Sequence, residues 1–400
     1  MAATTSLPEP DINLQVEPVG PSAKVPIVPP RPRATLRVLH VINGEHFAGA
    51  ERVQDLLALR LPDYGIEVGF ACVKPDRFPA ARRSQSTPLA SFPMRSRFDL
   101  PAAWRLARLI RNGKFDLVHT HTPRTALVGN IAARLTGRPL IHHVHGQTVS
   151  EIGRGLLART SARVEKFSLA NAAAVIAVSP SAADYIERWG VPFDRIEVIP
   201  NGVPSRVQLA QRPRPNGDWT IGTIALFRPR KGLEVLLEAI AVLHQRGLPI
   251  RLRAVGGFET AEYEQQIHRR VAELGIVSLI DWRGFQQEID DELNEMNLMV
   301  LPSLLPEGMP MVVLEAMAAG VPPIGSRVEG ISDVIEHAIN GLLAPPGDSL
   351  ALADTIASVI KGRHDWQVLR RAAIATHASR YSDRSMAAAV ADVYRKAIFQ

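Results

Sequence analysis

From Leu36 onward the chain alternates short apolar runs with longer stretches of helical spacing. The runs 36–43, 66–73, 115–122, 138–146, 172–180 and 196–202 are apolar almost throughout. Such runs predict strands buried on both faces, as in a parallel sheet. Between them, 51–61, 100–113, 126–136, 155–171 and 181–189 carry apolar residues every three or four positions and predict helices. Segment 203–218 breaks the rhythm with three prolines, a glycine and three arginines, a linker composition. The alternation then restarts, with strands at 219–226, 250–257, 277–285, 298–303 and 322–326. Helices fall at 232–247, 261–274 and 310–319, and 349–400 is mainly helical. The pattern predicts an α/β protein of two tandem Rossmann-like, doubly wound parallel-sheet domains, 35–203 and 219–380, joined by 204–218. Sheets of this kind bind ligands at the carboxyl ends of their strands, so the two sets of ends face a central cleft.

Residues 1–34 hold eight prolines and lack the basic-then-apolar order of a secretory signal, so they read as a disordered arm. No apolar run approaches the roughly 20 residues that span a bilayer. The single cysteine, Cys72, excludes an internal disulfide framework and a cysteine-based metal cluster, and fits a reducing, cytoplasmic setting. A net charge of +6 suits an anionic partner: a nucleotide or an anionic lipid surface. Nucleic acid is disfavoured, because the basic residues are scattered without interleaved aromatics.

One stretch carries the chemistry: "LLPEGMPMVVLEAMAAGVPPIG", 304–325. Its helix is apolar on nearly every face, yet Glu315 sits inside it and Glu307 just before it. Gly308, Met309 and Met311 bring main-chain N–H groups to the positive end of the helix, where an anion or hydroxyl-rich ligand is favoured. A buried carboxylate at 315 needs donors. Two readings stay open: an ion pair with Arg or Lys, or a ligand diol such as a ribose. The second acid before the helix favours the diol.

The E-x7-E spacing of Glu307 and Glu315, with "NGLLAPPGD" downstream, resembles the signature of the family 4 glycosyltransferases, retaining enzymes of the GT-B fold. "FAGAERV" (47–53), "HVHG" (143–146), "VIPNGV" (198–203), "RPRKGLEVLLEAI" (228–240) and "YSDRSMAAAVADVYRKAI" (381–398) extend the likeness over most of the chain. The resemblance implies a nucleoside diphosphate sugar as co-substrate, no resident cofactor or metal, and a saccharide or lipid-linked acceptor in cell-surface polysaccharide or glycolipid synthesis. It implies that Glu315 holds ribose hydroxyls and that Glu307 contacts the transferred sugar. Gly308, Met309 and Met311 would offer N–H groups to sugar or phosphate. Lys231 would neutralise the leaving diphosphate, and Gly49 would let the first loop approach the phosphates. His145 would lie near sugar and acceptor, and the main chain around Arg283–Phe285 would face the base. Residues 381–400 would form a helix crossing back to the first domain. No Asp-x-Asp motif occurs in the sequence.

Two departures bear on this. The family places an arginine five or six residues before the lysine, where this chain has Leu226 and Ala225. Arg228 and Arg230 are the nearest substitutes; Arg228, directly after the strand, is taken as the replacement, with a solvated loop charge as its alternative. Glu329 stands where a small residue is usual. Among the histidines, His143 and His145 share one strand face, as do His119 and His121; without a nearby cysteine or a carboxylate at ligand spacing a metal site is disfavoured. His119, His142 and His143 are read as packing or surface residues, and His145, at a strand end, as the functional one. The helix 100–113 has Arg105, Arg108 and Arg111 on one side and Trp104, Leu106, Leu109 and Ile110 on the other, an arrangement that can lie on an anionic membrane. Alternative functions are another GT-B enzyme, such as an epimerase or hydrolase, or a sugar-nucleotide-binding protein that has lost catalysis.

Overall fold

The computed structural model describes residues 36–96, 99–146, 171–206 and 212–399, with Lys166 and Leu169. The expected arm, most of the expected helix 155–171 and part of the linker lie outside these residues. The first sheet holds β1 (Leu36–Ile42), β2 (Ile66–Cys72), β3 (Leu89–Ser91), β4 (Leu117–Thr120), β5 (Leu140–Val144), β6 (Ala174–Ala177) and β7 (Ile196–Val198). All are parallel, in the order β3-β2-β1-β4-β5-β6-β7. The second holds β8 (Trp219–Ile224), β9 (Ile250–Val255), β10 (Ile280–Gly284), β11 (Leu298–Leu301), β12 (Pro323–Ser326) and β13 (Leu342–Ala344). It is also parallel, in the order β10-β9-β8-β11-β12-β13.

The helices of the first half are α1 (Gly49–Arg60), α2 (Phe78–Ala81), α3 (Leu100–Asn112), α4 (Pro123–Thr136) and α5 (Pro180–Arg188). Those of the second are α6 (Leu233–Gln245), α7 (Ala261–Glu273), α8 (Asp290–Asn294), α9 (Met311–Ala318), α10 (Ser349–Ile360), α11 (Trp366–Arg380) and α12 (Asp383–Phe399). Their starts are chemical. The side chains of Asp99, Thr122, Ser179, Thr260, Asp348 and Asp365 each accept a hydrogen bond from a first-turn amide, which satisfies one donor that the helix leaves orphaned. Within the described residues the expected strands and helices are present with ends within a few residues. The three-residue strands β3 and β13 were not read, because so short a run shows no period.

Each order reverses once, between β1 and β4 and between β8 and β11. In an open parallel sheet this switch leaves a crevice at the strand ends, and the two crevices face each other. The closing helix α12 packs on α1. Arg60 Nε donates to Asp383 Oδ2 at 2.6 Å, and the buried Tyr394 hydroxyl reaches His40 and His119 of the first sheet.

Helix α3 corrects one expectation. Leu106 and Ile110, with Ala102, Ala103 and Ala107, are buried, so most of the side read as lipid-facing is core. What faces outward is Trp104, 67% exposed, with Leu100 and the arginines. Among the described residues no helix is long and apolar enough to cross a membrane.

Candidate active site

The second crevice is lined by the loops after β8 and β11. The first of these loops makes one tight turn, Pro229–Lys231, closed by Gly232 at φ 67°. A side chain there would also meet the Pro302 carbonyl at 2.1 Å, so the position takes only glycine. The turn aims Lys231 at the loop after β11. Its Nζ donates to Glu307 Oε1 at 2.6 Å, the Ser303 hydroxyl donates to the same oxygen at 2.6 Å, and Arg230 NH2 lies 3.6 Å from Oε2. Glu307 is mostly but not fully buried, and burial alone would raise its pKa; Lys231, with Ser303 and Arg230, more than offsets this and holds the carboxyl below its usual range. Burial lowers the pKa of Lys231, and Glu307 recovers part of the shift. Arg228 is turned elsewhere, to Glu259 at 3.5 Å. It is therefore Arg230, not the expected Arg228, that the turn brings to Glu307.

Helix α9 begins at Met311, with Pro310 as its extended N-cap, one residue later than the sequence reading. Before it, Gly308 meets the first domain. A Cβ at 308 would stand 1.7 Å from the His145 carbonyl oxygen and 3.1 Å from Gly146 Cα, so only a glycine lets the two loops touch. Asn201 adds a second contact. Its Nδ2 donates to the Met309 carbonyl at 3.1 Å and its main-chain N–H to Met309 Sδ at 3.1 Å. Thus His145, Gly308, Glu307 and Lys231 come together. Gly49 differs: a Cβ there would make only ordinary contact, 3.7 Å from Met311 Cγ, so packing does not demand glycine.

Glu315 resolves part of its ambiguity. It is mostly but not fully buried in α9, and Arg52 of α1, across the cleft, donates to both of its carboxylate oxygens, one at 3.3 Å. The ion-pair reading is thus present in the structure. Burial raises the Glu315 pKa, and Arg52 only partly offsets this. Sequence reasoning missed Arg52. Its signal was a cation in the first turn of a helix, where the dipole repels positive charge and an anion is needed to hold it.

The pair borders a cavity of about 370 Å³. Its walls come from α1 (Arg52, Asp55), the segment Val203–Arg206, the loop Gln287–Asp290 and Glu315. Arg283 and Phe285 are not on its wall: Arg283 pairs with Glu292 at 3.1 Å, and Phe285 is 71% exposed. The side chain of Glu329 is exposed, while its carbonyl accepts from the Glu307 amide at 3.0 Å.

The first crevice is filled by imidazoles. His40 at the end of β1, His119 and His121 at β4, and His142 and His143 on β5 are buried, and His145 is half-buried. The hydrogen bonds form a chain: His145 Nε2 to His121 Nδ1 at 3.1 Å, His121 Nε2 to His40 Nδ1 at 3.2 Å, His40 Nε2 to the Tyr394 hydroxyl at 3.0 Å, and that hydroxyl to His119 Nδ1 at 2.6 Å. Burial lowers the pKa of every one, His40 and His145 to about 3 and His142 to about 4. The rings are therefore neutral at physiological pH. Of the two readings for His119, His142 and His143, packing or surface, the structure shows packing: all three are buried.

Fold and site together define a two-domain GT-B glycosyltransferase. The family model Glycosyltransferase Family 4 matches residues 47–206, and Glycosyl transferases group 1 matches 205–376. The chain is 30% identical to D-inositol 3-phosphate glycosyltransferase of Streptomyces bingchenggensis (strain BCW-1) over 317 residues, 72% of this chain and 68% of that protein. It is 33% identical to amylovoran biosynthesis glycosyltransferase AmsK of Erwinia amylovora over 184 residues, spanning 44% of each. The crystal structure of Anabaena Alr3699/HepE in complex with UDP shares the fold at TM-score 0.79 and 22% identity, covering 90% of this chain and all (100%) of that one. This chain belongs to the family 4, or group 1, glycosyltransferases, as the E-x7-E signature implied.

Proposed function

We propose that the protein transfers a hexose from a nucleoside diphosphate sugar to a hydroxyl of a saccharide or lipid-linked acceptor, with retention of anomeric configuration. The observation that carries the reading is the Lys231–Glu307 pair, 2.6 Å apart at the switch point of the second sheet and bordered by Arg230. Breaking the bond to the diphosphate builds negative charge on the leaving oxygen. Fixed cations in a crevice closed by the other domain stabilise that charge without reorganising. Lys231 and Arg230 supply it from the protein, so the leaving group needs no metal. Glu307, held ionised, orients the sugar. His145 and Gly308 close the site between the domains, and retention implies attack from the face the diphosphate leaves.

The nucleoside fits the cavity beside Glu315, whose volume falls in the ordinary range for small-ligand sites. Its ribose hydroxyls would take over one or both of the bonds that Arg52 now makes to Glu315, and Gln287–Asp290 would border the base. UDP is the first nucleotide to try, because the Anabaena neighbour is described with it. Relatives named for amylovoran biosynthesis and for D-inositol 3-phosphate make an amylovoran-type or an inositol-type acceptor the first to try. The test is a thermal-shift panel of sugar nucleotides, followed by NMR of the product formed with and without acceptor. A single donor that raises the melting temperature and gives an α-linked product from an α-linked donor supports the reading. Turnover without acceptor would mean a hydrolase or epimerase, and tight binding with no product on any acceptor a protein that only binds sugar nucleotides.

We also propose a peripheral position on an anionic cytoplasmic membrane face, supported by exposed Trp104 beside Arg105, Arg108 and Arg111 on the outer side of α3. Sedimentation with acidic liposomes tests it; equal partitioning of wild type and the triple Arg→Glu variant would remove the idea.

A further inference from the structure

We infer that His121, His143 and His145 bind one divalent transition-metal ion of the zinc class, at the switch point of the first sheet. Three observations converge on it. One ring nitrogen from each of the three residues lies within 4.8 Å of the others, and His121 Nδ1 and His145 Nε2 are 3.1 Å apart. A tetrahedral zinc with Zn–N bonds of about 2.0–2.1 Å holds its nitrogens about 3.3 Å apart; the His121–His145 pair already stands near that spacing, and the His143 ring closes the remaining distance, up to about 1.5 Å, on binding.

The second observation is His143. Its ring is fully buried and stacked on His145 at 4.3 Å between centroids, and neither of its nitrogens has a hydrogen-bond partner among the described residues. A neutral imidazole carries one donor and one acceptor, and leaving both unsatisfied in the interior is costly. The chain from His145 through His121, His40 and Tyr394 to His119 can be satisfied by one proton per link, and His143 is outside it. Replacing the proton between His145 and His121 by a metal ion brings His143 into the network as a third ligand.

The third is the supporting shell. With Nδ1 on the ion, His121 Nε2–H still donates to His40 Nδ1 at 3.2 Å, and His40 Nε2–H donates to the Tyr394 hydroxyl at 3.0 Å. Ligating histidines commonly have the other ring nitrogen anchored in this way, which fixes tautomer and orientation. The ligands are neutral imidazoles, which suit zinc, copper, nickel and cobalt better than magnesium or calcium. His145 is the half-buried member and gives an ion its way in. Such an ion would pin the end of β5 behind the His145–Gly308 contact. It serves the closure of the cleft, and it lies on the opposite domain from the Lys231–Glu307 pair proposed to meet the diphosphate.

The experiment uses the full chain without a histidine tag, stripped with chelator, reloaded with zinc and freed of loose metal by gel filtration. Elemental analysis should give about one zinc per chain. Cobalt in its place should show the intense visible bands of tetrahedral coordination. His143→Gln should weaken zinc binding at least about tenfold. His142→Gln, whose Nδ1 pairs with the Thr120 hydroxyl at 2.8 Å, should leave it unchanged. No retained zinc in the wild type, or binding equal in His143→Gln and wild type, overturns the inference. If His143→Gln does not fold, the wild-type cobalt spectrum decides: tetrahedral bands support the site, and their absence refutes it. Nucleotide-induced thermal shifts are read separately, so a failure here is distinguishable from a failure of the proposed transfer activity.

Discussion

Arg52 on α1 and Glu315 in α9 form a two-bonded ion pair across the cleft between the domains. The only acid within an otherwise apolar helix is thus held by a cation from the other domain. Removing one partner of such a pair leaves an uncompensated charge. Arg52→Ala should therefore destabilise the closed protein by about 3 kcal/mol, read as the midpoint of urea unfolding. A nucleotide with an intact ribose should restore part of that loss, and a 2′,3′-dideoxynucleotide should not.

Lys231 and Glu307 should separate binding from chemistry. Lys231→Ala should lower kcat by about 100- to 1000-fold, because the leaving diphosphate loses a preorganised cation. Glu307→Ala should keep nucleotide affinity within a few-fold of wild type and transfer poorly. Calorimetry for binding and a coupled assay for diphosphate release check the two; unchanged kcat in Lys231→Ala would contradict its role.

Gly308 is limited by space, not by backbone angle. A Cβ 1.7 Å from the His145 carbonyl forces the two loops apart. Gly308→Ala should leave each sheet folded by circular dichroism, yet reduce kcat/KM by about a hundredfold, because a misplacement of an ångström costs that much. Small-angle scattering should show a more open particle.

The histidine cluster sets the acid limit. A histidine whose folded pKa lies below its unfolded value costs nothing above the unfolded pKa of 6.5, and it destabilises as pH falls from 6.5 towards the folded value. For His40, His142 and His145 that window runs down to about 3 or 4. Together they should remove about 3 kcal/mol between pH 6.5 and 5.5. Urea midpoints measured in chelator across that range test it; a flat profile would mean that the rings are hydrated and already charged.

Much of this architecture is legible in the chain. Apolar runs alternating with helical periods mark both parallel sheets, and Pro310, Glu315 and Gly320 outline α9. The sites are less legible, for a physical reason. Side chains that meet across a cleft share no sequence period, so nothing local paired Arg52 with Glu315 or Asn201 with Met309. The choice between Arg228 and Arg230 depends on the turn at Pro229–Lys231, which no sequence period describes. Period two placed His119 with His121 and His143 with His145. Only the strand order, which sets β1 beside β4 and β4 beside β5, brings those pairs and His40 into one cluster.

The central claim is that Glu315 serves a ligand's ribose as well as Arg52. It is tested most directly by calorimetric titration of UDP into Arg52→Ala and into the double variant Arg52→Ala/Glu315→Ala, which removes the competing arginine from both sides of the comparison. The account predicts that Arg52→Ala binds at least as tightly as wild type and that the double variant binds about tenfold or more weakly, the loss of a charge-assisted hydrogen-bond pair. Equal affinity of the two variants would show that Glu315 touches no ribose and only ties the domains together.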